Sequence, residues 1–193
     1  MIATLPPPVA SPERLLTIAD LEAMPDQLPS GPARYELVNG TLVIMAPASG
    51  FHAGNQSIIQ GEIYAQGQRQ NHGRVFGEYG LIIRRNPDTV YVPDVSFFCS
   101  ASMPIKYASN GYVESIPDLV VEVQSPSNSK AAIAAKTDDY IAAGVKVVWN
   151  VNPVRKCVAE TRGDQKRVFN ADDTLTAEDI IPGFNLLVSK LFE

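Results

Sequence analysis

Residues Val145–Val151 (Val-Lys-Val-Val-Trp-Asn-Val) constrain this chain most, because so apolar a run reads as a buried central strand. Gly144 stands just before it and stops a helical segment spanning roughly Ser127 to Ala143. Ahead of that helix, Leu119–Val123 is a second apolar run of strand type. Near the other end, Asn39-Gly40 separates Tyr35–Val38 from Thr41–Met45, the dipeptide that most strongly signals a two-residue hairpin. Thr17 predicts the cap of a short helix through Ala23, which Pro25 ends. A longer helix is predicted from His52 to about Gln70, with Ile58, Ile59, Ile63 and Tyr64 as its apolar stripe. Further strand-like runs are Arg74–Tyr79 with Leu81–Ile83, Val90–Phe98, Lys156–Glu160, Lys166–Phe169 and Phe184–Phe192. This order predicts an α/β single domain over residues 14–193, with residues 1–13, which carry Pro6-Pro7-Pro8, as a flexible tail.

At 193 residues the chain can bury about 70% of its unfolded surface, enough for one core without disulfides. Cys99 and Cys157 are too few for a disulfide framework and read as reduced thiols of a cytoplasmic protein. No stretch of 18 apolar residues offers a membrane span, and the N-terminus lacks the basic and apolar regions of a signal peptide. The expectation is a cytoplasmic protein without a membrane partner. A formal net charge of −5 disfavours a passive nucleic-acid coating protein, which is normally basic. It leaves open an enzyme with a local acidic site.

Three elements carry chemistry. In Pro117–Gln124, strand alternation puts Asp118, Val120, Glu122 and Gln124 on one side and Leu119, Val121 and Val123 on the other. A carboxylate inside so apolar a strand is costly to bury without a partner or a metal. Glu122 therefore either faces solvent on an edge strand or belongs to a site, and the central-strand character of the run favours the site. Asp94 interrupts another apolar run directly after Pro93; if the two strands are neighbours, both carboxylates converge on one hard cation such as Mg²⁺. On the second long helix, Ile133, Tyr140 and Gly144 share a stripe, with Lys130 and Lys136 about 60° to either side of it. Geometry alone does not choose between the two lysines, and either can be a solvated residue at the helix edge.

Taken in order, Tyr35–Gly40, His52, Pro93-Asp94-Val95, Pro117–Ser127, Lys136 with Tyr140, Gly144-Val145 and Ile181–Phe184 resemble the Uma-two-type putative restriction endonuclease family. That family belongs to the PD-(D/E)XK nuclease superfamily, and the resemblance runs from about Leu16 to Phe192. It implies a restriction-endonuclease-like core, a mixed β-sheet flanked by helices, with an N-terminal helix and β-hairpin. It further implies that Asp94 and Glu122 bind a divalent metal, Mg²⁺ or Mn²⁺, with the carbonyl of Val123 as an extra ligand. The superfamily's usual lysine position, two residues after the glutamate, is Gln124 here. In this family the lysine moves to the following helix in a Lys-x-x-x-Tyr spacing, which Lys136 and Tyr140 match and Lys130 does not. Glu36 and His52 match recurring family positions that line the site; their plainer alternatives are a hairpin surface residue and a helix cap.

Such a site suits phosphodiester hydrolysis, in which a metal lowers the pKa of bound water and a lysine stabilises developing charge. The leading reading is a metal-dependent endonuclease acting on DNA, as a homodimer when both strands are cut. The alternatives are a catalytically inactive nuclease-fold interaction or regulatory protein and, more weakly, a hydrolase of smaller phosphoesters. Arg69, Arg74, Arg84 and Arg85 are the clustered cations nearest the inferred site, a thin footprint for tight DNA binding. Trp149 reads as core, the pairs Asp138-Asp139 and Asp172-Asp173 as solvated, and Asp118 as a strand-entry hydrogen-bonding residue.

Overall fold

Pro93 shapes the architecture more than any other single residue. In the computed structural model, which describes residues 14–193 except 26, 30, 46, 103–110, 126 and 127, the Val90–Phe98 run is two strands in two different sheets. Proline has no N–H to give a ladder. The chain leaves one sheet at Tyr91, Val92 donates its N–H to Glu36 Oε1 at 2.9 Å, and the chain enters the other sheet at Val95.

The elements in order are α1 (Ile18–Glu22), β1 (Gln27–Leu28), β2 (Gly31–Pro32), β3 (Tyr35–Val38), β4 (Thr41–Ile44) and α2 (Gly50–Ile63). A π-helical turn, Tyr64–Gln68, extends α2. Then come β5 (Gly73–Phe76), β6 (Leu81–Arg84), β7 (Thr89–Tyr91), β8 (Val95–Cys99), β9 (Leu119–Val123), α3 (Lys130–Ala143) and β10 (Val147–Asn152). The chain closes with β11 (Cys157–Arg162), β12 (Gln165–Phe169), β13 (Thr174–Thr176), β14 (Asn185–Leu187) and a 3₁₀ turn, Val188–Phe192.

The larger sheet has the order β12-β11-β10-β9-β8-β5, in which β9 and β10 are parallel and the other pairs antiparallel. Parallel neighbours need a crossover, and α3 supplies it. The smaller sheet is β4-β3-β7-β6, and the fold is mixed α/β. Alternation along β9 sorts the core. Leu119, Val121 and Val123 pack with Ile59 and Ile63 of α2 and with Trp149, while Val120 packs with Val148, Leu81, Tyr91 and Tyr140 of α3. Each such fully buried side chain contributes roughly 1.5–3 kcal/mol.

Local sequence explains the element ends. Thr17 and Asp20 form a capping box on α1. Ser129 caps α3 by accepting from Ala132 N, so the helix starts at Lys130 rather than near Ser127, a residue outside the described set. Gly144 ends α3 in the left-handed conformation (φ 107°). The segment expected as one helix from His52 to Gln70 is instead an α-helix from Gly50 and a π turn. The expected Phe184–Phe192 strand is a short strand followed by the 3₁₀ turn, and β13 falls on Thr174–Thr176, where no strand was expected. Residues 1–13, expected to be a tail, lie outside the described set. Among the described residues no helix is long and apolar enough to cross a membrane, and both cysteines are free thiols.

Candidate functional site

The carboxyl end of β9, the crossover at Pro93, the first turns of α2, one side of α3 and the β3–β4 hairpin enclose a cleft of about 720 Å³. Glu36, His52, Asp94, Glu122, Val123 and Lys136 all line it. β9 is interior to the sheet, so Glu122 is not a solvated edge residue; it points to the α3 side, as the alternation requires.

Lys136 sits at the centre of the charge arrangement. Its Nζ lies 2.8 Å from Glu36 Oε1 and 3.0 Å from Glu122 Oε1. The ammonium also rests over the Tyr91 ring, 5.0 Å from its centroid, a cation–π contact that limits where the lysine can point. Tyr140, one helical turn further on α3, donates its hydroxyl to Glu122 Oε1 at 2.7 Å. Burial works against a charged lysine here, yet the carboxylates of Glu122 and Glu36 hold Lys136 well above its ordinary pKa. Burial pushes Glu122 up to about 7; Lys136 counters this in part, while the charges of Asp94 and Glu36 add to it. The α3 edge thus separates the two lysines: Lys136 is in the cleft, whereas Lys130 is exposed on the first turn.

Asp94 is held from three sides. Val123 N donates to its Oδ2 at 2.7 Å, His52 Nε2 is 3.2 Å from the same oxygen, and Gln56 of α2 donates to its backbone carbonyl at 3.0 Å. Because Pro93 leaves the ladder, the amide of Val123 is satisfied by this side chain instead of a strand neighbour. His52 is not the cap of α2; that role belongs to Ser49, which accepts from His52 N. The hydrogen bond to Asp94 raises the His52 pKa against its burial, and the Asp94 charge, the Val123 backbone and the Glu122 charge raise it further. Its Nδ1 is buried and has no hydrogen-bond partner among the described residues.

The bonds above occupy Oδ2 of Asp94 and Oε1 of Glu122, and the other oxygen of each carboxylate takes part in none of them. Among the described residues no three His, Cys, Asp or Glu side chains form a ready metal cage. Two carboxylates beside a backbone carbonyl are nonetheless the oxygen donors a Mg²⁺-like cation takes when water and phosphate fill its remaining positions. Asp94, Glu122 and the Val123 carbonyl are the groups that could hold one.

Several residues of the site were not anticipated. Tyr91 carries Lys136 on its ring and donates its hydroxyl to Asp139 Oδ2 at 2.6 Å. Asp139, expected to be solvated, also accepts from Arg84 at 3.1 Å, so it anchors the back of the site. Thr137 accepts a hydrogen bond from Asn150 at 3.0 Å on the cleft floor. Burial of Tyr91, followed by its bond to Asp139, raises the phenol pKa, so it is a neutral donor. The expected arginine cluster does not face the cleft. Arg84 is tied to Asp139 and Arg85 to Glu114, and Arg69 and Arg74 are not among the lining residues. Asp118 accepts from Cys99 N and pairs with Lys146, the strand-entry role expected of it.

The family model Uma2, described as "Putative restriction endonuclease", matches residues 18–189. A solved structure of a putative nuclease belonging to DUF820 from Anabaena variabilis is similar at 22% identity with a TM-score of 0.76. That likeness covers 92% of this chain and 97% of the other, and at this identity it shows a shared fold. No curated protein matches the sequence.

Proposed function

The chain belongs to the Uma2 family of putative restriction endonucleases, and from that premise we propose that it is a metal-dependent endonuclease hydrolysing DNA phosphodiester bonds in the Asp94–Glu122–Lys136 cleft. The observation that carries this reading is the Lys136 ammonium, held at 2.8 and 3.0 Å between Glu36 and Glu122 in the cleft that Asp94 also lines. Family membership supports a nuclease, and nucleases of this kind generally use divalent metals.

In this reading Asp94, Glu122 and the Val123 carbonyl hold Mg²⁺ or Mn²⁺. When bound, the cation would lower the pKa of a coordinated water and neutralise charge on the phosphoryl oxygens. Lys136 orients the attacking water or stabilises the phosphoryl charge, depending on which side of the phosphate faces α3. With Glu122 engaged by a cation, Glu36 would keep Lys136 protonated and aimed, so the lysine would retain one anionic partner. Tyr140 holds Glu122 Oε1 and leaves Oε2 to the cleft. His52 fixes Asp94 in the same manner from α2. One cleft cuts one strand; cutting both strands of a duplex calls for two copies, and a cytoplasmic homodimer completes the proposal.

The test is nicking of supercoiled plasmid in Mg²⁺ or Mn²⁺, comparing wild type with Asp94→Asn and Lys136→Ala. Nicking that requires the metal and disappears in both variants supports the reading; nicking that survives both overturns it. A second reading, an inactive nuclease-fold regulatory protein, draws on Lys136 being already engaged by two glutamates. It predicts no nicking by the wild type under any metal.

A further inference from the structure

We infer that the cleft accepts a single nucleic-acid strand, with its phosphates along Lys130, Arg155 and Lys156 and its bases against the apolar wall of the β3–β4 hairpin. This rests on the phosphodiester reading above and narrows its substrate to single strands, which one cleft cuts without a second copy.

The first observation is where three of the exposed cations without an ion pair lie. Inside the cleft, Arg34 pairs with Glu78 and Lys136 with Glu36 and Glu122. Lys130, Arg155 and Lys156 are exposed and form no ion pair among the described residues. None of the three lines the cleft itself, but each stands close in the chain or through a hydrogen bond to a residue that does. Val123 of β9 is in register with Val151 of β10, so Asn152 follows beside the cleft-lining Gln124. Asn152 Nδ2 donates to Gln124 Oε1 at 2.7 Å, and Asn152 Oδ1 accepts from Arg155 N at 2.8 Å. These two bonds fix the β10–β11 turn, with Arg155 and Lys156, against the rim. Lys130 opens α3 between Asn128 and Ala132, both of which line the cleft. Exposed cations without acidic partners are available to phosphate oxygens at little desolvation cost.

The second observation is that the hairpin side of the cleft is different in kind. Val43, Ile44 and Met45 line it, Val43 and Ile44 are 38% and 58% exposed, and Phe51, 60% exposed, stands on α2 between the cleft residues Ser49 and His52. Exposed apolar side chains grouped at a cleft mark a binding surface, and base faces are the part of a nucleic acid that suits them. A duplex carries phosphates on both flanks and would set one backbone against this wall. A single strand has one charged edge and one apolar edge, which matches the two walls.

The test is fluorescence anisotropy with one labelled oligonucleotide, single-stranded or folded into a hairpin duplex, in EDTA so that nothing is cut. Wild type should bind the single strand at least about tenfold more tightly, in line with base stacking on an apolar platform. Arg155→Gln with Lys156→Gln removes two phosphate contacts and should flatten the plot of log affinity against log salt by about 1.4. Ile44→Ser with Phe51→Ser should weaken single-strand binding and leave that slope unchanged. All four positions are exposed, and thermal unfolding verifies that both double variants fold. Equal or tighter duplex binding, an unchanged slope in the cation variant, or no binding of either form overturns the inference. Plasmid nicking separates it from the nuclease reading. Wild type that cuts but prefers duplex overturns the single-strand inference alone, and wild type that binds the single-stranded oligonucleotide but cuts neither it nor plasmid in Mg²⁺ or Mn²⁺ overturns the hydrolytic reading alone.

Discussion

Asp118 and Glu122 leave the same side of one stretch of chain, four residues apart, and meet opposite fates. Asp118, 3% exposed, has both oxygens satisfied: Oδ1 by Lys146 at 2.8 Å and Oδ2 by Cys99 N at 2.8 Å. Despite the cost of burial, those bonds and the Lys146 charge hold its pKa below the usual aspartate value. Glu122 stands where the strand ends in a cleft, shares Lys136 with Glu36 and faces the Asp94 charge, and its pKa is pushed up to about 7. One carboxylate closes the sheet at its entry, and the other is held ionisable beside unspent oxygens. Burial alone does not single out a candidate acid. Burial with incomplete compensation does.

The largest expected effect separates the two ends by activity. Asp94→Asn, Glu122→Gln or Lys136→Ala should each lower plasmid nicking by roughly 100-fold or more, whereas Asp118→Asn should leave it within about threefold. Equal losses at both ends would erase the contrast. Next in size, Lys136→Met leaves two glutamates facing each other without their cation. It should destabilise the protein by about 2–4 kcal/mol at pH 8, measured by urea unfolding, and by less at pH 5, where Glu122 takes up a proton. Asp118→Asn should cost less, about 1–2 kcal/mol, because its partner Lys146 is 60% exposed and what is lost is chiefly a charge-assisted bond to Cys99 N.

The pH profiles should have opposite signs. Between pH 4.5 and 7 folded Glu122 keeps a proton that the unfolded chain has lost, so without metal its contribution to stability falls as pH rises through this window. Glu122→Gln should remove that fall. Asp118 has a lowered pKa, so its contribution is complete above about pH 3.8 and is lost as pH drops below that. Asp118→Asn should therefore flatten the acid limb alone. The smallest effect belongs to Tyr91→Phe, which gives up the bond to Asp139 but keeps the ring beneath Lys136. It should reduce nicking only a few-fold, with Tyr91→Ala clearly worse.

Much of this arrangement is legible in the sequence wherever a local rule decides. Asn39 and Gly40 take positive φ (51° and 74°), as the hairpin signal requires, and a Cβ on Gly40 would come within 2.7 Å of Leu15. Gly144 ends α3, and the alternation along β9 does place Glu122 opposite Leu119, Val121 and Val123. What resisted reading depends on tertiary partners. Lys130 and Lys136 are equivalent on a helical wheel; apart from the family resemblance, it is Glu36 and Glu122, from two different sheets, that distinguish them. Asp139 looks like a solvated residue until Tyr91 and Arg84 arrive from the smaller sheet. The Val90–Phe98 run is apolar enough to pass for one strand; the sheet change at Pro93 that aims Asp94 into the cleft is settled by where Glu36 waits for the Val92 amide.

Whether Asp94 and Glu122 hold a cation together is measured directly by Mn²⁺ titration followed by electron paramagnetic resonance. Wild type and Asp118→Asn should each bind one ion per chain in the cleft, and Asp94→Asn and Glu122→Gln should each lose it or weaken it at least tenfold. Mn²⁺ binding that persists unchanged in Asp94→Asn and Glu122→Gln, or that is lost in Asp118→Asn with its fold intact, would contradict the account.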